Sequence, residues 1–227
     1  MSPEEFGAYL ELVERARRAM EGEVEVRLGL ECDYMPGMEA WLEQQIDSAP
    51  LEYVLGSVHP HMSSYQATFP LRDAFEFQKL YFENLARAAE TKFFDSISHP
   101  DLVKNVTPKE WDLERIFDAV RRCLDRIARA GMAMELNTSG FQKSIPELNP
   151  GPEILREIRA RGIPIVVGSD AHKPIRVGAD FEAAFDALET AGFTQVSFFL
   201  QRRRVDVPIA AARASLVAPP VPAREPA

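Results

Sequence analysis

Apolar and polar positions alternate along the chain in a pattern that predicts a repeating order of helices and strands. Phe6, Tyr9, Leu10 and Val13 recur at helical spacing and predict a helix near the start. Short apolar runs beyond it predict strands at residues 24–31, 53–57, 93–98, 133–137, 164–168 and 195–200. Segments of helical periodicity between them predict helices at residues 38–49, 72–91, 108–130, 152–161 and 181–191.

This alternation is typical of an α/β fold with a mostly parallel sheet and crossover helices. Gly131, Gly162 and Gly192 stand where three of the predicted helices end, as C-cap glycines do. No predicted strand is followed by the glycine-rich fingerprint of a dinucleotide-binding sheet, so six strand units favour a barrel-like α/β domain. We expect this domain to span residues 1–205, and the Ala- and Pro-rich residues 206–227 to form a disordered tail.

Composition limits the partners and the compartment of this domain. Hydrophobic residues make up 46% of the 227 positions, which is enough for a buried core. The net charge of −9 opposes binding to duplex nucleic acid or to an anionic membrane surface. The sequence shows no signal peptide and no apolar run of eighteen residues, and its two cysteines form no disulfide framework. We therefore expect a cytoplasmic protein without a membrane or nucleic-acid partner.

Acidic and imidazole side chains lie at the ends of the predicted strands. In chain order they are Glu31, His59, His99, Glu135, Asn137, Asp170 and His172. Function gathers at the carboxyl ends of the strands in parallel α/β folds, and a mixture of imidazole and carboxylate donors suits a divalent metal. Three of the four histidines stand at these ends, and His61 follows two residues after one of them. Asp33 and Asp101 are weaker candidates, and Asp101 could simply cap a turn after Pro100.

Several candidates also have a simpler structural explanation. Asp170 could cap the helix that follows, but its place two residues before His172 favours a metal ligand. Glu31 could be a surface carboxylate, but its apolar neighbours predict a covered strand end, where an unpaired carboxylate is costly. Glu135 and Asn137 share one strand face, where they could orient a ligand or substrate, or could only close hydrogen bonds in the core.

Basic side chains near the predicted mouth are candidates for binding phosphate. Lys143, Lys173 and Arg176 would be surface residues by default, although a phosphate ligand would need one or two of them. The arginine run at residues 202–204 is expected to flank the last strand as a solvated edge. The sequence shows no nucleophile elbow, phosphate-binding loop or Cys–His pair, so water activated by a metal is the predicted chemistry.

Five motifs together resemble the histidinol-phosphatases of the polymerase and histidinol phosphatase (PHP) superfamily. They are Gly-Leu-Glu at 29–31, Gly-Ser-Val-His at 56–59, Ser-His-Pro-Asp-Leu-Val-Lys at 98–104, Glu-Leu-Asn-Thr-Ser-Gly at 135–140 and Gly-Ser-Asp-Ala-His at 168–172. The resemblance runs from about residue 2 to about residue 205. It implies a distorted seven-stranded, TIM-like barrel that binds two or three Zn, Mn or Fe ions.

The resemblance also implies an activity and a role for each candidate residue. The implied enzyme is a phosphomonoesterase that hydrolyses L-histidinol phosphate to L-histidinol and phosphate in histidine biosynthesis. By motif position the metal ligands would be Glu31 as the bridging carboxylate, His59, His99, Asp170 and His172. Catalytic roles are expected for Glu31, Asp170 and His172, and contacts to phosphate or substrate for Lys143, Arg176, Glu135 and Asn137. The alternatives are a PHP-type enzyme for another phosphate ester, or a catalytically impaired fragment that acts as a binding module.

One departure from the family pattern concerns the first strands of the barrel. The family begins with a strand that carries His-x-His and a second strand that ends in His, and this sequence has neither. Two strand–helix units of about fifty residues in all, with three histidine ligands, are therefore expected to be missing or supplied elsewhere. The incomplete barrel is expected to be less stable than a complete relative or to form a homo-oligomer through the gap, and to bind metal weakly. Gln142 is a smaller departure, because relatives often carry a basic residue there.

Overall fold

The computed structural model describes residues 3–216 and is built around a parallel five-stranded sheet in the order β1-β2-β3-β4-β5. The strands are β1 Gly29–Asp33, β2 Tyr53–Ser57, β3 Ser96–Ile97, β4 Ala133–Asn137, β5 Ile165–Gly168, β6 Gln195–Leu200 and β7 Arg203–Pro208. The helices are α1 Pro3–Ala19, α2 Glu39–Asp47, α3 Ser63–Thr68, α4 Ala74–Thr91, α5 Leu113–Ala130, α6 Pro152–Ala160, α7 Phe181–Thr190 and α8 Ile209–Ala214. Short 3₁₀ turns lie at Leu102–Asn105, Thr138–Gln142 and Pro174–Arg176.

The register of the parallel strands brings their carboxyl ends to one edge of the sheet. Asp33 at the end of β1 stands opposite Ser57 at the end of β2, and Asn137 at the end of β4 stands opposite Gly168 at the end of β5. Among the described residues, β1 pairs only with β2 and β5 pairs only with β4, so the sheet does not close on itself. Whatever follows each strand therefore meets at the same edge.

Two amphipathic helices cover the middle of the sheet. The long helix α4 buries Phe77, Tyr81 and Leu85, while α5 buries one stripe of side chains that includes Val120 and Leu124. Each buried aliphatic or aromatic side chain stabilises the fold by about 1.5–3 kcal/mol relative to an exposed one. This packing holds the short strand β3, and with it the segment that follows, in a fixed position.

Most of the predicted elements are confirmed, with shifted ends. The strands at residues 53–57, 133–137 and 195–200 have the predicted bounds. The first predicted strand begins only at Gly29, because residues 24–28 lie outside the sheet, with Val24 exposed and Arg17 donating to the Val26 carbonyl. The predicted helix at 108–130 begins at Leu113, since residues 108–110 form a turn and a bend before the N-cap Asp112.

The tail predicted from residue 206 is wrong for its first part. Residues 206–208 complete β7, which pairs antiparallel with β6, and α8 follows directly. Val205 and Val207 alternate with polar residues as a strand requires, Ile209 is buried, and the alanines that follow favour a helix. The remainder of the predicted tail, residues 217–227, lies outside the described residues.

The arginine run is also more than a solvated edge. The Arg202 guanidinium donates to both carboxylate oxygens of Asp95, at 2.8 and 2.7 Å, and to the Phe93 carbonyl at 2.6 Å. Asp95 is buried, and it also accepts from the Val54 backbone N–H at 2.7 Å. Arg202 therefore ties the β6–β7 hairpin to the segments that enter β2 and β3.

Arg202→Ala should lower the free energy of unfolding by about 3 kcal/mol, because the buried Asp95 carboxylate would lose its charged partner. Urea unfolding followed by circular dichroism measures the change. Arg203→Ala is the matched control, since Arg203 is exposed on the same hairpin. Equal stability of the two variants would contradict a structural role for the Arg202–Asp95 pair.

Within residues 3–216, no helix combines the length and the apolar character needed to cross a membrane.

Candidate metal centre

Three of the predicted ligands meet at the carboxyl edge of the sheet. Glu31 lies on β1, His59 follows β2 and His99 follows β3, and one donor atom from each lies within 4.8 Å of the other two. The Nε2 atoms of His59 and His99 stand 3.4 and 3.6 Å from the same carboxylate oxygen of Glu31. Two imidazoles and a carboxylate at this spacing are a donor set that suits a divalent metal ion.

Two buried serines support the carboxylate of this group. Ser57 donates a hydrogen bond to Glu31 Oε1 at 2.6 Å, and its hydroxyl lies 2.6 Å from the hydroxyl of Ser98. The Ser98 hydroxyl in turn lies 3.2 Å from Nδ1 of His99. The serines therefore link all three strands, although neither belongs to the acidic and imidazole residues that mark the site in the sequence.

The electrostatic surroundings keep Glu31 ionised. The Glu31 side chain is 42% exposed, so the covered strand end predicted from the sequence is wrong, and its partial burial alone would raise its pKa. The close approach of His99, the hydrogen bond from Ser57 and the nearby imidazoles of His99 and His59 outweigh burial and lower that pKa to about 2. Glu31 is thus an anion at any physiological pH and is available to a cation.

His59 is held from its other side by a carboxylate. Its Nδ1 forms a short hydrogen bond with Oδ1 of Asp33. Burial alone would lower the pKa of His59, but this bond and the charges of Asp33, Glu31 and Asp170 outweigh burial and raise that pKa. The exposed ring of His61 stands 5.4 Å from the His59 ring, and burial together with the neighbouring imidazoles lowers the pKa of His61.

Glu135 and Asn137 lie beneath the site and not at its mouth. Both side chains are buried, and Oε2 of Glu135 accepts hydrogen bonds from the His99 backbone N–H at 3.0 Å and from the Asn137 amide at 3.1 Å. Burial raises the pKa of Glu135, against the opposing effect of His99. A Cβ atom at Gly168 would lie only 2.0 Å from Oε1 of Glu135, so a larger residue there would displace this carboxylate. The structure therefore favours the supporting role that the sequence left open for this pair over a contact with substrate.

Asp170 and His172 share a cavity of about 550 Å³ with the three ligands but do not join their group. Asp170 accepts a hydrogen bond from Ser139 at 3.0 Å, and Lys143 Nζ lies 3.7 Å from the same carboxylate oxygen. His172 is 86% exposed, and its Nδ1 lies 3.0 Å from the Asp170 backbone carbonyl. The residues after β5 thus line another wall of the cavity. They lie outside the group of Glu31, His59 and His99 that could coordinate one shared ion.

The basic candidates divide between the cavity and the surface around it. Lys143 and Gln142 line the cavity. Arg176 does not line it, because its guanidinium pairs with Asp180 at 2.6 Å and faces the side-chain oxygen of Gln142 in the amide orientation that satisfies both groups. Lys173 is exposed outside the cavity. Lys143 is therefore the lysine best placed to meet an anion beside the three ligands.

Asp101 is a structural residue and does not face the cavity. Its buried carboxylate accepts hydrogen bonds from the fully buried Lys104 ammonium and from the Gly151 N–H, both at 2.8 Å, and from the Asn149 amide. Lys104 also donates to Glu147 at 2.8 Å. These bonds connect the loop after β3 to the loop after β4. They fix the two segments that carry His99 and Lys143.

The two cysteines are not catalytic nucleophiles. Cys32 and Cys123 are buried, unpaired thiols. Burial raises the pKa of Cys32 to about 12 and also raises that of Cys123, so neither is a thiolate near neutral pH.

The chain is thus an α/β protein with a parallel sheet. At the carboxyl ends of the strands it carries imidazole and carboxylate side chains that could bind a divalent metal ion. A family model described as "PHP domain" matches residues 4–139. The chain belongs to the PHP domain family, which confirms the resemblance drawn from the motifs.

Curated relatives carry the name of one enzyme within this family. A protein of Deinococcus radiodurans named "Probable histidinol-phosphatase" is 33% identical over 204 residues, which cover 87% of this chain and 77% of that relative. The "Histidinol-phosphatase" of Bacillus subtilis is 26% identical over 197 residues, which cover 77% of this chain and 74% of that relative.

A solved structure shows the same fold. The histidinol phosphate phosphatase of Lactococcus lactis subsp. lactis, crystallised with zinc, L-histidinol and phosphate, aligns with a TM-score of 0.72 at 20% identity. The match covers 88% of this chain and 79% of that chain. It confirms the predicted distorted, TIM-like α/β architecture. The absence of two strand–helix units stays a prediction.

His59→Ala and His99→Ala should each weaken Zn²⁺ binding strongly, because each removes one of three donors around Glu31. Isothermal titration calorimetry at fixed pH, with elemental analysis of dialysed protein, gives the affinity and the number of ions. His172→Ala is the matched histidine variant: its exposed ring lies outside this group, so the affinity of the ion held by Glu31, His59 and His99 should change much less, even if a further ion is lost. Three tightly held ions per chain, or an equal loss of affinity for the tightest ion in all three variants, would contradict a centre built on Glu31, His59 and His99.

Proposed function

We propose that this protein is a metal-dependent phosphomonoesterase that hydrolyses L-histidinol phosphate to L-histidinol and phosphate, a step of histidine biosynthesis. The observation that carries the proposal is the Glu31, His59 and His99 group at the carboxyl edge of a PHP fold, with Lys143 in the same cavity. The names of the curated relatives and the ligands of the Lactococcus structure support this choice of substrate.

The donor set fits Zn²⁺, and equally Mn²⁺ or Fe²⁺, since borderline imidazole and hard carboxylate donors accept all three. Glu31, His59 and His99 would hold the ion. When bound there, it would polarise a phosphoryl oxygen and lower the pKa of a water molecule. Asp170 and His172 are proposed to hold a further ion from the other wall of the cavity, where Asp170 lies near enough to His59 to raise its pKa.

Protein side chains would bind and orient the phosphate group. Lys143 Nζ stands 3.7 Å from Asp170, so a phosphoryl group that drew the ammonium away from this carboxylate would gain a charge-assisted hydrogen bond in its place. Glu31, whose pKa is lowered to about 2, would offer an anionic carboxylate to the ion. Arg176 would contribute only after leaving Asp180, and we propose it as a secondary phosphate contact.

Purified protein should release phosphate from L-histidinol phosphate much faster than from p-nitrophenyl phosphate at equal concentration, and only when a divalent metal is supplied. The physical reason is that substrate contacts beyond the phosphate add binding energy in the transition state. A phosphate-release assay with Zn²⁺ or Mn²⁺, and with chelator as the control, measures both rates. Equal rates on the two esters would point to a general phosphoesterase. No release from either ester by metal-loaded protein would support the binding-module alternative.

Lys143→Met should lower kcat/KM for L-histidinol phosphate by about tenfold to a hundredfold, which is the effect expected for the loss of a hydrogen bond to a charged group. Steady-state kinetics with saturating metal measures it. Lys173→Met is the matched control, because that ammonium lies outside the cavity. A Lys143 variant with unchanged kinetics would remove this lysine from the phosphate site.

A further inference from the structure

The end of β1 presents two carboxylates to one imidazole. Glu31 and Asp33 are two residues apart, so their side chains lie on the same face of the strand, about 6.6 Å apart along it. His59 follows the neighbouring strand β2, whose last residue stands opposite Asp33. The ring of His59 lies between the two carboxylates, with Nε2 3.4 Å from Glu31 and Nδ1 bonded to Asp33.

This arrangement makes the two nitrogens of the ring unequal. Neutral imidazole has one N–H donor and one lone-pair acceptor. A carboxylate at Nδ1 accepts a hydrogen bond only from the Nδ1–H tautomer. That tautomer leaves the Nε2 lone pair directed at the Glu31 and His99 group.

The neighbouring histidines are held differently. The neutral hydroxyl of Ser98 lies 3.2 Å from both ring nitrogens of His99 and so does not distinguish them. His172 has the Asp170 carbonyl 3.0 Å and the Asp170 carboxylate 3.5 Å from its Nδ1, but its ring is 86% exposed and lies outside the three-ligand group. Asp33 is itself half exposed, with 50% of its side chain accessible. It therefore contributes little to the packing of the core. Its contact with His59 is the main interaction that the geometry gives it.

We propose that Asp33 is a positioning residue that fixes the tautomer and the orientation of His59, and so prepares Nε2 to bind a divalent metal. Asp33 acts through the His59 ring and does not coordinate the ion. The proposal rests on the metal centre of the proposed function. It does not depend on the substrate or on turnover.

The test compares Asp33→Ala with Asp33→Asn in the full chain. Both remove one negative charge, but the asparagine carbonyl can still accept a hydrogen bond from Nδ1–H. Nitrogen NMR of metal-free protein with labelled histidines reports the tautomer of His59, and calorimetric titration with Zn²⁺ reports affinity. Removing a carboxylate that hydrogen-bonds to a metal-ligating histidine lowers metal affinity by about tenfold to a hundredfold. We expect a loss of that size in Asp33→Ala together with loss of the Nδ1–H tautomer, and a smaller loss with the tautomer kept in Asp33→Asn.

Asp47→Ala is the control for removal of a carboxylate, because Asp47 is exposed at the end of α2, away from the cavity. It should change neither measurement, and urea unfolding of all variants confirms that each is folded. Equal losses of affinity in the two Asp33 variants, with an unchanged tautomer, would make Asp33 a direct ligand and overturn the proposal. Unchanged affinity and tautomer in both would overturn it as well. Phosphatase activity enters neither readout, so failure of the proposed substrate leaves this test intact.

Discussion

The parallel register of β1, β2 and β3 is the constraint on which the site depends. Neighbouring strands lie about 4.8 Å apart, so residues that leave adjacent strands at the same level have side chains within contact distance. Glu31, His59 and His99 are far apart in sequence but belong to three consecutive strands of the sheet. A shift of one residue in any of these strands would turn its ligand to the opposite face of the sheet. The helices α4 and α5 matter to the chemistry because their packing prevents such a shift.

Below the ligands, polar groups are buried but bonded to one another. Ser57, Ser98 and Glu135 would each destabilise the fold if left without a partner, and each has at least one hydrogen bond to the site. Glu135 is the clearest example. Its carboxylate accepts a hydrogen bond from the His99 backbone N–H and occupies the space that a side chain at Gly168 would fill. The support of the site therefore depends as much on a glycine and two serines as on the ligands.

How much the sequence reveals differs between the strands, the ligands and their supports. Apolar runs bounded by turn residues predict β2, β4 and β6 to the residue, whereas β7 escapes prediction because a two-stranded hairpin buries little and half of its residues are charged. Glu31, His59 and His99 are predictable, since charged and imidazole side chains at successive strand ends converge in any parallel sheet. Ser57 carries no signal of its own, because buried serines are common in cores. The role of Asp33 depends on the ring orientation of a residue on another strand, which periodicity does not encode.

The charged side chains that line the cavity favour binding of a cation at the centre, whichever substrate the enzyme accepts. Glu31, Asp33 and Asp170 bring negative charge to one region, and Lys143 is the lysine that lines the cavity. The carboxylates of Asp33, Glu31 and Asp170 outweigh the opposing effect of burial and raise the pKa of His59, which favours its protonated form. A metal ion needs the neutral imidazole, so it must displace that proton, and binding then strengthens as the pH rises through the pKa of His59. The carboxylates that attract the metal ion are therefore the same groups that hold the competing proton, and this balance makes metal affinity depend on pH.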